Sequence, residues 1–207
     1  MTSHYKTENG VRIYDLGKSI TFLENMGKKH YGNQFKIYPQ DRSIVYKLLV
    51  YAIRDDENCK KHNIDPNKGI LLTGPVGCGK TTLINLIKYF LPADQGHIIK
   101  TSRDIVFEYK TYGHQIIQRH GQSKAVFCFD DLGVEQRVKQ YGNTCNVMAE
   151  ILLSRYDLFT SKKTKTHATT NLNASELEHL YGNRVRSRLR EMFNLIAFDK
   201  GTGDKRK

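Results

Sequence analysis

Gly74-Pro75-Val76-Gly77-Cys78-Gly79-Lys80-Thr81-Thr82 decides how the rest of the chain is read. It fits the phosphate-binding pattern G-x-x-x-x-G-K-[ST], and both flanks suit it. Ahead of it, Gly69-Ile70-Leu71-Leu72-Thr73 is an apolar run long enough for a buried parallel strand. Behind it, Thr82 to Leu91 places apolar residues at helical spacing until Pro92 stops the pattern. Glycines let successive backbone N–H groups face a polyphosphate, and the following helix offers the positive end of its dipole. Lys80 is expected to reach the β- and γ-phosphates, and the Thr81 hydroxyl to ligate Mg²⁺. A chance glycine-rich turn would need neither flank. The expectation is a nucleoside triphosphate held by residues Gly74, Pro75, Val76, Gly77, Cys78, Gly79, Lys80, Thr81 and Thr82.

A second stretch matches the first. Ala125-Val126-Phe127-Cys128-Phe129-Asp130-Asp131 is an apolar run ending in two acids. A buried parallel strand delivers its C-terminal residues to the sheet edge where a phosphate loop also lies. Asp130 is therefore expected to hold Mg²⁺, largely through water, and Asp131 to orient or deprotonate the attacking water. Thr164 to Thr170 alternates as a further strand, with Asn171 at its C-terminal edge, where an amide can bond the γ-phosphate or the attacking water.

Bulk composition bounds the rest. At 207 residues the chain is one domain, or one domain with a short extension. No apolar run approaches a membrane span, and the N-terminal MTSHYKTENG lacks the apolar core of a signal peptide. Cys59, Cys78, Cys128 and Cys145 are scattered, which suits reduced cytoplasmic thiols and neither a zinc site nor a disulfide framework. Thirty-three Lys and Arg against twenty-one Asp and Glu give a net charge of +12. That field favours a polyanionic partner, nucleic acid first, although solubility alone is the plainer explanation.

Taken in order, residues 1 to about 33 read as weakly structured, with a short helix over Ile20–Met26 that the stretch from Gly27 ends. An arm this short has no core of its own, so it packs on the body or docks a partner. Phe35, Ile37 and Tyr38 are candidates to cover an adenine ring, or plain core. A helix opened by Asp41 or Ser43 buries Ile44, Val45, Leu48, Leu49, Tyr51 and Ala52. Ile98–Thr101 reads as a strand, Ser102–Tyr112 as a helix, and His114–His120 as a second helical piece. Around them Lys110, His114, Arg119, His120 and Lys124 interleave with Tyr109 and Tyr112. Such a mixture suits single-stranded nucleic acid, and equally a solvated helix face. Val134 to Asn143 reads as a mobile loop, then Asn146 to Phe159 as a helix carrying Arg155, in an ion pair or a contact between subunits. Asn173 with Glu176 forms a capping box for the next helix, which ends at Tyr181-Gly182. In Asn183–Met192, Val185, Leu189 and Met192 form the buried stripe, leaving Arg184 and Arg188 on one face and Arg186 and Arg190 on another. A last strand, Phe193–Phe198, precedes a basic tail.

These segments carry a resemblance. GPVGCGKTT, FCFDDLG, HATTNL and YGNRVRSRLRE are similar, in that order, to the Walker A, Walker B, sensor 1 and arginine-finger elements of AAA+ ATPases. The DDLG, the TTNL and the arginine-rich helix resemble the branch of DnaC-type helicase loaders and IstB-type helper ATPases of transposition. The resemblance covers roughly residues 35 to 198 and implies an α/β fold: a three-layer α/β/α sandwich on a parallel sheet of about five strands. It implies Lys80 and Thr81 at phosphate and Mg²⁺, Asp130 and Asp131 as Walker B, and Asn171 as sensor 1. It further implies Arg188 as a finger acting on a neighbouring subunit's nucleotide, with Arg184 in support, and hence a homo-oligomer. Nine residues follow Phe198 in this sequence, so the resemblance leaves the helical lid and the sensor 2 role unfilled. The expected organisation is an arm (1–34), an ATPase domain (35–198) and a basic tail (199–207).

The function expected is Mg²⁺-dependent ATP hydrolysis on DNA, helicase-loader-like, in the cytoplasm, with a replicative helicase or a transposase as partner. Three readings compete: an IstB-like transposition helper, a small-molecule P-loop kinase, and an ATP switch with negligible turnover. Asp131, where AAA+ proteins commonly keep glutamate, keeps the switch open.

Overall fold

The computed structural model describes residues 4–135, 138–140 and 143–206. Strand β3 (Gly69–Thr73) lies inside a five-stranded sheet with β4 (Ile98–Thr101), β5 (Phe127–Leu132), β8 (Thr166–Thr170) and β9 (Phe193–Ala197). The order is β4-β5-β8-β3-β9 and every pairing is parallel. Alternation along β3 builds the layers: Ile70 and Leu72 point to one face, Leu71 to the other. The first face is covered by α1 (Leu16–Tyr31), α2 (Arg42–Ile53), α3 (Asp56–Lys61) and α4 (Lys80–Leu86), which bring Leu23, Leu48, Cys59 and Ile84 against it. The second is covered by α5 (Ser102–Tyr112), α6 (Gln115–Gly121), α7 (Val147–Lys162), α8 (Ala174–Tyr181) and α9 (Asn183–Met192), through Ile105, Ile116, Ile151, Leu177 and Leu189. The α/β/α sandwich with five parallel strands is the one expected.

The N-terminal arm is more ordered than its composition implied. Strands β1 (Tyr5–Glu8) and β2 (Val11–Tyr14) form an antiparallel hairpin through Asn9-Gly10, both at positive φ. Helix α1 starts at the Asp15 cap, whose carboxylate accepts from Lys18 N–H at 2.8 Å, and runs through Gly27 to Tyr31. Gly27 therefore does not stop the helix. It makes room, because a side chain there would overlap the Phe35 ring. Helix α4 is shorter than expected, giving way to a 3₁₀ turn at Ile87–Tyr89 that sets Phe90 against the rings of His4, Tyr14 and Phe22.

Among the described residues Arg155 makes no ion pair. It is fully buried, donating to Thr166 Oγ1 (2.8 Å) and to the carbonyls of Ser123 (2.5 Å), Ala125 (3.1 Å) and Lys165 (2.8 Å). Four acceptors take the place of a carboxylate, and burial lowers its pKa to about 10. Within Val134–Asn143, β6 (Val138–Gln140) pairs antiparallel with β7 (Asn143–Cys145); positions 136, 137, 141 and 142 of the expected loop lie outside the described residues.

Candidate nucleotide-binding site

The parallel strands end on one edge, and the loop from β3 to α4 crosses it. Gly77 at φ +79° turns the chain so that the loop wraps toward the N-terminus of α4. A cleft of about 460 Å³ opens over the loop, bordered by Val76 to Leu83, by Asp131 and by Asn171. Gly74 and Pro75 belong to the same loop but face a second groove beside α8 and α9, so the expected set divides between two sides of the loop.

Lys80 is only 5% exposed, and its ammonium donates to the carbonyls of Gly74 and Pro75, both 2.8 Å, and to Asn171 Oδ1 at 2.6 Å. Its three N–H groups are thus all engaged, and a phosphate would take over from loop carbonyls. Since the Asn171 oxygen faces the ammonium, its NH₂ remains to donate into the cleft. Sequence reasoning set Lys80 and Asn171 in one site; the structure brings them into contact.

Thr81 Oγ1 lies 2.9 and 3.0 Å from the two carboxylate oxygens of Asp130, which also accepts from Thr169 Oγ1 at 2.6 Å. A hydroxyl and one carboxylate, hard oxygen donors at the end of the phosphate loop, suit Mg²⁺, which keeps several waters and takes one or two carboxylates beside phosphate oxygens. Among the described residues no cluster of three His, Cys, Asp or Glu competes for a different metal. Thr81 and Asp130 would hold the ion, whose part is to neutralise charge on the phosphates.

Asp131 borders the cleft in the left-handed region, φ +54°, at the irregularity of the β5–β8 register between Phe129 and Leu132. Burial and then the neighbouring Asp130 carboxylate raise its pKa, against the opposing pull of Lys80 and Arg206. A carboxylate so disposed can accept a proton from water or orient it.

Phe35, Ile37 and Tyr38 also border the cleft, and Ile37 is buried in the core as well, so the two roles proposed for it coincide. Three contributors escaped the sequence. Tyr31, at the end of α1, borders the cleft and takes a hydrogen bond from Asn85 at 2.7 Å. Lys205 and Arg206, beyond β9, complete the rim.

Arg188 is elsewhere. Its guanidinium lies 4.4 Å from the Tyr156 ring centroid and 3.8 Å from the Glu191 carboxylate, on the surface shared by α7 and α9. The expected nucleic-acid patch also thins: Tyr109 is buried, and His120 is buried with Nε2 3.0 Å from Glu108. Tyr112, Lys110, His114, Arg119 and Lys124 remain exposed.

Comparison with known proteins agrees with this geometry. The family model described as ABC transporter matches residues 58–192. The spermidine/putrescine import ATP-binding proteins PotA of Vibrio cholerae serotype O1 and Vibrio parahaemolyticus serotype O3:K6 are 49% and 47% identical over 45 residues. Those matches take in 21% of this chain and only 12% of each relative. Among solved structures, the DnaC helicase loader superposes with a TM-score of 0.58 at 18% identity, covering 81% of this chain and 95% of that one. DnaI gives 0.54 at 19% identity, covering 81% and 87%, and AMPPCP-bound DnaA from Aquifex aeolicus 0.51 at 16%, covering 80% and 48%. The chain belongs to the P-loop ATPases, which the ABC transporter model represents here, and its fold is the AAA+ fold of the DnaC, DnaI and DnaA structures.

Proposed function

We propose that this chain is an ATP-hydrolysing AAA+ protein that acts on DNA in replication as a helicase-loader-like factor. The observation that carries the reading is the meeting of Lys80, Asn171 and Asp131 in one cleft, with Thr81 bonded to Asp130 beside it, on a fold shared with a helicase loader. ATP is the nucleotide, Mg²⁺ its counterion, and Asp131 the residue that prepares water. The net charge of +12 and the exposed Lys110, Tyr112 and His114 support single-stranded DNA as the polyanion. Val11 and Ile13, 63% and 50% exposed on the N-terminal hairpin, support residues 1–34 as the docking element for a replicative helicase, or for a transposase in the transposition reading. Arg188 serves a neighbouring subunit in an ATP-dependent homo-oligomer. No helix among the described residues is long and apolar enough to cross a membrane, and cytoplasmic residence is part of the proposal.

Phosphate release with and without single-stranded DNA tests the reading. DNA should stimulate turnover at low salt and progressively less as salt rises, because bound phosphates release counterions. Lys80→Ala should abolish nucleotide binding. Unchanged ATP affinity in that variant would sink the site, and turnover that needs a small acceptor molecule instead of DNA would favour a kinase.

A further inference from the structure

The segment after β9 folds back onto the phosphate loop. Lys205 N–H donates to the Gly77 carbonyl at 3.1 Å, so backbone is laced to backbone. Lys205 Nζ spans from Asp41 Oδ2 (2.5 Å) to the Cys78 carbonyl (2.6 Å), lying 5.5 Å from the Tyr38 ring centroid and 5.0 Å from that of Phe198. Asp41, Tyr38 and Cys78 all border the cleft, and Cys78 belongs to the loop. One ammonium therefore ties the start of α2 to the phosphate loop, in a pair whose side chains are only 18% and 5% exposed. The absence of a side chain at Gly77 leaves room for the Asp204 carboxylate.

Arg206 is arranged differently. Its side chain is 71% exposed, held by Asp204 only at 3.9 Å, and it borders the cleft together with Lys80, Asp131 and Asn171. An exposed pair of that length adds little to folding. Beside a polyphosphate the same guanidinium offers a fork of donors matched to phosphate oxygens. Lys80 has its three N–H groups engaged and Lys205 is paired, while Lys36 lies over the Tyr38 ring at 4.7 Å. Among the described residues that border the cleft, Arg206 is a loosely held cation whose charge acts on Asp131.

The geometry points to residues 204–206 as a strap that reads the phosphate end of the nucleotide within the same chain. Arg206 contacts the terminal phosphates, and Lys205 is a positioning residue that fixes the strap and loop. This rests on the nucleotide reading of the cleft, so the experiment includes a control for that reading.

The full chain and its Arg206→Gln, Arg206→Lys, Lys205→Gln and Lys80→Ala variants are titrated with MgATP, MgADP and AMP, and melting temperatures are recorded. Arg206→Gln should melt like the parent and bind MgATP roughly 10- to 100-fold more weakly, MgADP less so, and AMP equally well. Arg206→Lys should recover part of the loss. Lys205→Gln should weaken all three nucleotides together. Equal ATP affinity in Arg206→Gln, or an equal loss for ATP, ADP and AMP, would overturn the phosphate contact. Unaltered binding of all three by Lys205→Gln would overturn its positioning role. Lys80→Ala separates the two readings. If it abolishes ATP binding while Arg206→Gln changes nothing, only the strap fails; if it too binds ATP normally, the cleft is not a nucleotide site.

Discussion

Asp131 combines a backbone conformation that side chains disfavour with a carboxylate that burial makes harder to ionise. The peptide is pinned on both sides: its N–H donates to Thr169 Oγ1 at 2.9 Å, and its carbonyl accepts from Ser102 Oγ at 2.7 Å. Aspartate tolerates the left-handed region better than most residues, so holding it there costs about 1 kcal/mol. Glycine would avoid that cost and lose the carboxylate. Asp131→Gly should therefore abolish hydrolysis and gain up to about 1 kcal/mol in urea unfolding relative to Asp131→Asn. Asp131→Asn should keep ATP binding and lose turnover. Hydrolysis at the parent rate in Asp131→Asn would deny the residue a catalytic role, and no gain for glycine would mean that no strain is stored there. The acid pair was legible because a strand ending in two carboxylates is a local pattern. The backbone at Asp131 was not, because the register shift against β8 that produces it involves residues about forty positions away.

Among the elements, the contact between β3 and β8 has a titrating member. Its ladder begins at Leu71 opposite Ala168, and the Ile70 N–H just before it donates to His167 Nδ1 at 3.1 Å. That nitrogen must keep its lone pair, so the imidazole is neutral in the fold. Burial first, then His97 and Lys165, hold its pKa well below the ordinary value. His97, 5.0 Å away between ring centroids, is lowered to about 4 by burial and then Lys88, with the Ile84 carbonyl acting weakly the other way. Both folded-state values lie below the unfolded one, so the unfolded chain binds more protons as pH falls and stability is lost. Stability should be flat above pH 6.5 and decline between pH 6.5 and about 4, with His97 alone contributing about 3 kcal/mol of that loss. Melting temperature against pH gives the slope, and His97→Leu should make it shallower; an unaltered slope would clear His97 of the effect. What was legible at this scale was local. β3, α5 and the Asn173–Glu176 capping box follow from residues within a few positions of one another. The Asn9-Gly10 pair is a hairpin signal, but it stands in a segment of low hydrophobicity. The passage of α1 through Gly27 and the four bonds of Arg155 depend on Phe35, Ser123, Ala125, Lys165 and Thr166, which no local pattern announces.

For the molecule as a whole, Arg188 stands outside the cleft of its own chain. Val185, Leu189 and Met192 already anchor α9, so the arginine is not needed to seat the helix. Its contacts are a half-exposed ion pair with Glu191 at 3.8 Å and the face of Tyr156, whose hydroxyl donates to Glu191 at 2.6 Å. Such a pair contributes little, and releasing the guanidinium from it costs correspondingly little. Since Arg188 does not border the cleft of its own chain, any action on a nucleotide must be on that of a neighbour, where a guanidinium at the γ-phosphate can be worth 10³-fold or more in rate. Arg188→Ala should then bind ATP like the parent as an isolated subunit and lose hydrolysis in the assembled state. Mixing Arg188→Ala with Asp131→Asn gives the decisive comparison. Each variant alone makes only defective interfaces, whereas mixed assemblies include some that pair an intact arginine with an intact Asp131. Turnover should return in the mixture and scale with the fraction of such interfaces. If Arg188→Ala alone turns over like the parent, Arg188 is a surface residue of α9; if it is inactive and mixtures shown by sedimentation to co-assemble recover no turnover, its action is not on a neighbour's nucleotide.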